Sequence, residues 1–191
     1  MPPFEGEITV GRGEAARRIA YLRRDGSGPE ILFLGGFMSD MRGAKGEALD
    51  AFAERTGRAI TRFDYSGHGA SGGRFEDGTI SRWLEEAGAI LYGAAVGPQV
   101  LVGSSMGGWI ALLLALVEQR AGSDRIAGLV LLAPAVDMTE ALILPHLSRQ
   151  ARAELEAEGR TALPSAYADR PYTITRALIE DGRRHLLGGS P

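Results

Sequence analysis

The stretch Leu101–Ala115, LVGSSMGGWIALLLA, carries two adjacent serines with a glycine on either side, followed by an apolar run. It matches Gly-x-Ser-x-Gly at Gly103-Ser104-Ser105-Met106-Gly107, with VLV before the motif and WIALLLALV after it. That context predicts a strand, a sharp turn and a buried helix. In such a nucleophile elbow, small flanking residues let a strained turn close and lift the serine hydroxyl to the top of a sheet. Gly103 and Gly107 are the glycines the turn needs, Ser105 is the candidate nucleophile and Ser104 is its spacer. The helix N-terminus adds a favourable dipole, and the Met106 N–H falls beside the oxyanion formed when the serine attacks a carbonyl. The pattern occurs again at Gly69-Ala70-Ser71-Gly72-Gly73, but the polar GRFEDGT around its end opens no helix. Ser71 is therefore read as a turn residue.

Outward from the elbow, short apolar runs recur: EILFLGGF (30–37), RAITRFDY (58–65), QVLVGSS (99–105) and RIAGLVLLAPA (125–135). Continuous apolar runs of this length suit strands buried on both faces. Helical spacing fills the gaps in KGEALDAFAERTG, ended by Gly57, in ISRWLEEAGAILYGAA, capped by Thr79, and in GGWIALLLALVEQR. RRIAYLRR (17–24) alternates enough for a strand with one wet face. The rhythm predicts βαβ units and a mainly parallel, doubly wound α/β sheet, with ligands bound at the C-terminal strand ends. A second oxyanion donor should come from the loop after an earlier buried strand. Phe37 stands there, after Gly35-Gly36, which let the backbone approach closely or make an ordinary tight turn. Beyond Ala135 come a polar helix (HLSRQARAELEAEGR), a loop or hairpin (TALPSAYADRPYTI) and another helix (TITRALIEDGRRHLL). Residues 138–172 are thus expected to form a lid insertion, or a surface excursion with no gating role.

At 191 residues the chain fits one domain, 1–191, and its formal charge of −3 gives no electrostatic case for nucleic acid. The absence of cysteine excludes disulfides, thiolate metal sites and cysteine nucleophiles. Lys45 is the only lysine among many arginines; together with 27 glycines this suggests a bacterial, GC-rich coding sequence. MPPFEGEITV lacks a basic n-region and an apolar h-region. The longest apolar run, Trp109–Val117, is far shorter than the roughly 20 residues a membrane span needs. A soluble cytoplasmic protein is expected. Glu85-Glu86 and Glu154 with Glu156 read as solvated charge, and no cluster has metal-ligand spacing. GSGPE and GHGASGG lack the Lys-Ser/Thr of a phosphate-binding loop, so no cofactor is implied.

LGGFMSDM.G.K (34–45), RFDYSGHGASGG (62–73) and LVGSSMGGW (101–109), with LLAPAVD (131–137) and YTITRALIEDGRRHLL (172–187), resemble the α/β-hydrolase superfamily. More narrowly they resemble the branch of palmitoyl-protein thioesterases that includes a mycophenolic acid acyl-glucuronide esterase, and its bacterial relatives. The resemblance implies hydrolysis of acyl esters or thioesters through an acyl-serine at Ser105, with the N–H groups of Phe37 and Met106 as oxyanion hole. The substrate is then a small or acyl-bearing molecule, and the bulky Phe37, Met38 and Met106 favour an acyl chain over a peptide. An aminopeptidase or lactonase of the same fold is a rival reading, and a non-catalytic binding module is another.

In this superfamily the acid and base come after the nucleophile in the order Ser, Asp, His. Here no strand bearing the Asp and no suitably placed histidine come later, and the sequence stops at LLGGSP. The expectation is an incomplete hydrolase domain with its C-terminal strands missing, or one that has lost the standard base. His185, late in a crossover helix, is expected at the bottom of the sheet, away from Ser105. His68 is expected at the top, two strands away, mainly steadying the SGHG loop. His146, in the lid, reaches Ser105 only by folding down. Asp137 is a formal candidate acid or a loop residue before MTEALI. Without further strands, GLVLLAP is an unpaired apolar edge that invites self-association.

Overall fold

A computed structural model describes residues 2–164 and 171–188. Residues 165–170 of the expected lid, and 189–191, lie outside the described residues. Four parallel strands form the centre of the main sheet: β3 (Ser27–Leu34), β4 (Arg58–Phe63), β5 (Gln99–Ser104) and β6 (Ile126–Leu132). β1 (Phe4–Val10) and β2 (Arg17–Arg24) add an antiparallel margin, giving the order β1-β2-β4-β3-β5-β6. β1 is absent from the sequence expectations. Its signal is the alternation of Phe4, Gly6, Ile8 and Val10, of which only Val10 is buried.

The crossovers are α1 (Ala44–Thr56), α2 (Ile80–Gly93) and α3 (Met106–Arg120). Successive strand side chains point to opposite faces. Ile31, Phe33, Ile60 and Val102 accordingly meet Ala53 of α1 on one face. Leu32, Leu34 and Leu101 join Trp83 and Ile90 of α2 and Trp109, Ile110 and Leu114 of α3 on the other. Burial on both faces is why the central strands read as continuous apolar runs. Local signals act as expected: Thr79 Oγ1 accepts the Arg82 N–H at 3.2 Å, and α1 ends at Gly57 with φ 66°.

One acidic pair departs from its reading. Glu85 is exposed, but Glu86 is fully buried, accepting from Arg17 Nε and from Ser66 N at 2.8 Å. It shares the inward helix face of Trp83 and Ile90, so the ion pair with the buried Arg17 compensates its desolvation.

After β6 the chain makes a π-helical turn (Thr139–Ile143), the single turn α4 (Leu144–His146) and α5 (Arg149–Glu158). A separate antiparallel ribbon comes next, β7 (Arg160–Leu163) with β8 (Tyr172–Thr175), then α6 (Arg176–Gly182). The expected last helix thus begins only after a strand, capped by Thr175 Oγ1 accepting the Leu178 N–H at 3.1 Å. β6 pairs only with β5 among the described strands, and Leu129, Val130 and Leu132 are 40%, 45% and 38% exposed. No helix among the described residues is long and apolar enough to cross a membrane.

Candidate active site

Ser105 sits between β5 and α3 with φ 54° and ψ −121°, a region L-residues rarely adopt and one that needs support. Support comes from the backbone. The Ser105 N–H donates to the Leu132 carbonyl at 3.1 Å, and its own carbonyl accepts from Gly108 N (2.9 Å) and Ala135 N (3.0 Å). The end of β6 therefore clamps the turn from one side. The glycines explain themselves by distance: a Cβ on Gly103 would stand 2.4 Å from the Gly107 carbonyl oxygen, and one on Gly107 would stand 2.1 Å from that of Leu34.

The loop after β3 crosses directly over the elbow. A Cβ at Gly36 would lie 3.3 Å from both Ser105 Cβ and the Ser104 carbonyl oxygen. Phe37 comes directly after it, and Met106 is the first residue of α3. Neither the Phe37 N–H nor the Met106 N–H has an acceptor among the described residues. Ser105 opens into a cavity of about 800 Å³ that Phe37 and Met38 also line. The Met106 side chain does not line it. Its side chain is fully buried in the core with Leu34 and Trp109, because the first turn of α3 turns that face inward. The apolar wall is instead completed by Leu132, Pro134, Leu142 and Tyr172. Leu142 and Tyr172 bring the 138–172 segment to the site. The sequence does not reveal them, because nothing local marks a residue that lines a distant pocket.

RFDYSGHGAS supplies the struts around this loop. Asp64 is buried and accepts from Met41 N at 2.6 Å and Ala70 N at 2.8 Å; burial raises its pKa above the usual carboxylate value. Ser71 Oγ donates to the Asp64 carbonyl at 2.6 Å and accepts from Ala20 N at 2.8 Å, the part of a turn residue. His68 is buried with both ring nitrogens against backbone groups, and burial lowers its pKa. Asp64 is visible in the sequence as an acid closing a buried strand, yet only the fold shows what it holds.

The remaining histidines do not touch Ser105. His146 is exposed, with Nδ1 2.7 Å from the Leu142 carbonyl oxygen of its own turn. His185 is not at the bottom of the sheet. Its Nε2 lies 2.7 Å from Ser81 Oγ and its carbonyl accepts from Trp109 Nε1 at 3.2 Å. Ser81 and Trp109 belong to the first turns of α2 and α3, which start at the C-terminal strand ends. The chain reverses through β8 before α6, so the crossover argument does not apply. Asp137 has φ 55°; its carboxylate accepts from Leu187 N and Gly188 N, both at 2.8 Å, and its carbonyl starts the next turn by accepting from Glu140 N and Ala141 N. Its carboxylate thus holds the C-terminal segment.

Comparison with known proteins agrees with this geometry. Residues 31–174 match the family Hydrolase_4, described as serine aminopeptidase, S33. The mouse mitochondrial palmitoyl-protein thioesterase ABHD10 is 37% identical over 176 residues, which cover 91% of this chain and 57% of that protein. The chain thus spans little more than half the length of that curated relative. A crystal structure of an Agrobacterium vitis S4 protein superposes with a TM-score of 0.92 at 47% identity, covering 97% of this chain and 73% of that one. The structure of mouse alpha/beta hydrolase domain-containing protein 10 gives 0.77 at 33% identity, covering 95% and 71%. With its parallel sheet, its strand–turn–helix serine and these relatives, the chain belongs to the α/β hydrolases, in the Hydrolase_4 family.

Proposed function

We propose that this protein is a serine hydrolase that cleaves carboxylic esters or thioesters through an acyl-serine at Ser105. One observation carries the reading: Ser105 lines a mostly apolar cavity in the strained elbow conformation, directly before Met106 and beside the Gly36-Phe37 loop, and the N–H groups of Phe37 and Met106 have no acceptor among the described residues. Attack of Ser105 Oγ on an acyl carbonyl forms a tetrahedral oxyanion, which those two donors stabilise. Collapse expels the alcohol or thiol with a proton, and water then hydrolyses the acyl-serine. The base that takes the Ser105 proton is not among the described neighbours of its hydroxyl.

The wall of Leu132, Pro134, Leu142 and Tyr172 suits an acyl chain. The thioesterase name of the mouse relative supports including thioesters. We assign residues 138–172 a lid role on the same ground, since Leu142 and Tyr172 complete the cavity. The test is turnover of p-nitrophenyl esters of increasing chain length, acyl thioesters and aminoacyl amides. Esters and thioesters should be cleaved, and Ser105→Ala should abolish the cleavage. A preference for aminoacyl amides would favour an aminopeptidase instead. Saturable binding of acyl compounds without turnover would favour a binding module.

A further inference from the structure

His68 is 5% exposed and lies in an aromatic box, with ring centroids 5.9 Å from Tyr65, 5.2 Å from Phe75 and 5.4 Å from Trp83. Its two nitrogens have unlike partners. Met38 N lies 3.2 Å from Nε2, and the Ser66 carbonyl oxygen lies 3.1 Å from Nδ1. A backbone amide only donates and a carbonyl only accepts, so one neutral tautomer satisfies both: proton on Nδ1, lone pair on Nε2. Burial favours that neutral form by lowering the pKa, although the hydrogen bond to Ser66 works against it.

The amide that Nε2 accepts belongs to the residue after Phe37. Met38 stands at φ 59°, in the left-handed region that an L-residue adopts only with support, and is 42% exposed. The preceding peptide is tied separately: the Gly36 carbonyl accepts from Ser39 N at 3.1 Å and Ser39 Oγ at 2.7 Å. That carbonyl and the Phe37 N–H are opposite ends of one planar peptide, so anchoring the first aims the second. The peptide on the far side of Phe37 is anchored by His68.

We propose that His68 is a positioning residue for the oxyanion hole: by accepting the Met38 N–H, its Nε2 fixes the peptide after Phe37 and with it the aim of the Phe37 N–H. This rests on Ser105 being the nucleophile and the Phe37 N–H an oxyanion donor. His68 moves no proton in the reaction, since both of its nitrogens are committed to backbone partners.

Three variants separate the bond from the bulk. His68→Gln places an acceptor near the Nε2 position, His68→Asn keeps only the contact near Nδ1, and His68→Phe keeps the ring without either bond. His68→Asn and His68→Phe should lower kcat for a p-nitrophenyl ester about 10- to 100-fold with KM within about twofold, and His68→Gln should recover most of the loss. Nitrogen-15 NMR of the unsubstituted protein should show His68 neutral, protonated at Nδ1 and not at Nε2. An Nε2-protonated tautomer overturns the proposal whatever the variants do, including failing to fold. So does wild-type kcat in His68→Asn, or a loss confined to KM. Absence of Ser105-dependent turnover in the unsubstituted protein would remove the functional reading and this proposal together. Turnover that is indifferent to His68→Asn would remove this proposal alone.

Discussion

β3 and β6 are composed alike and situated differently. Each is a short apolar run in a parallel sheet, EILFL in one and IAGLVLL in the other. Glu30–Leu34 of β3 are all buried, with strands on both sides and helices above and below. In β6 no residue is buried, although its composition is that of an interior strand. An apolar run therefore reports that a strand suits burial, not that burial is met within the same span of chain. The contrast reaches the candidate site, because β6 is the strand whose last carbonyl holds Ser105 N and whose adjoining loop holds the Ser105 carbonyl. A strand with no buried residue thus supports the strained turn of the site.

The largest effect that sharpens this contrast should come from a pair of glycines. Gly107→Ala drives a Cβ to 2.1 Å from the Leu34 carbonyl oxygen where the end of β3 meets α3, whereas a Cβ at Gly128 of β6 meets nothing within 4 Å. Urea unfolding should show Gly107→Ala losing more than about 4 kcal/mol, and Gly128→Ala unchanged or stabilised by about 0.5 kcal/mol. Equal losses would show that β6 is as tightly covered as β3.

A smaller effect concerns association. The 191-residue chain should self-associate through β6, seen as a mass above the monomer in light scattering. Val130→Lys should shift the mass towards the monomer without lowering the melting temperature. A monodisperse monomer in the unsubstituted chain would show that the apolar edge is harmless as it stands.

The smallest effect lies on the covered side. Folded His68 has its pKa lowered by burial from the ordinary 6.5, so below that pH the unfolded chain binds more protons than the folded one. Its contribution is complete above about pH 6.5 and is lost as pH falls towards the folded value. Melting temperatures measured from about pH 7.5 to about pH 5 should therefore fall more steeply in the unsubstituted protein than in His68→Gln, which has no imidazole to charge. Parallel curves would mean that His68 titrates normally and is not held neutral.

The legible features are those written locally. The elbow is legible because its glycines, strand and helix are contiguous, and Thr79 and Gly57 because caps act within one turn. The parallel order comes from the alternating runs, and Ser71 is separable from Ser105 because a polar loop succeeds one and an apolar helix the other. Illegible features depend on partners far away in sequence. Glu86 looks solvated until Arg17 is placed 69 residues earlier beside it. Sequence places the Met106 side chain in the acyl wall, but its position relative to the core is fixed by the direction in which α3 leaves the elbow. His185 is misplaced by the same reasoning, because the β7–β8 ribbon changes where α6 starts. His68 and Asp64 are visible as residues, but their action on Met38 and Met41 exists only once two loops from β3 and β4 meet.

The central claim is that Ser105 is a nucleophile supported by an oxyanion hole. Reaction of the folded protein with a fluorophosphonate probe, read by peptide mass mapping, tests it most directly. The account predicts a single adduct on Ser105, absent from Ser105→Ala and from acid-unfolded protein. Folded protein that takes no label, or that takes it on another serine, would contradict it.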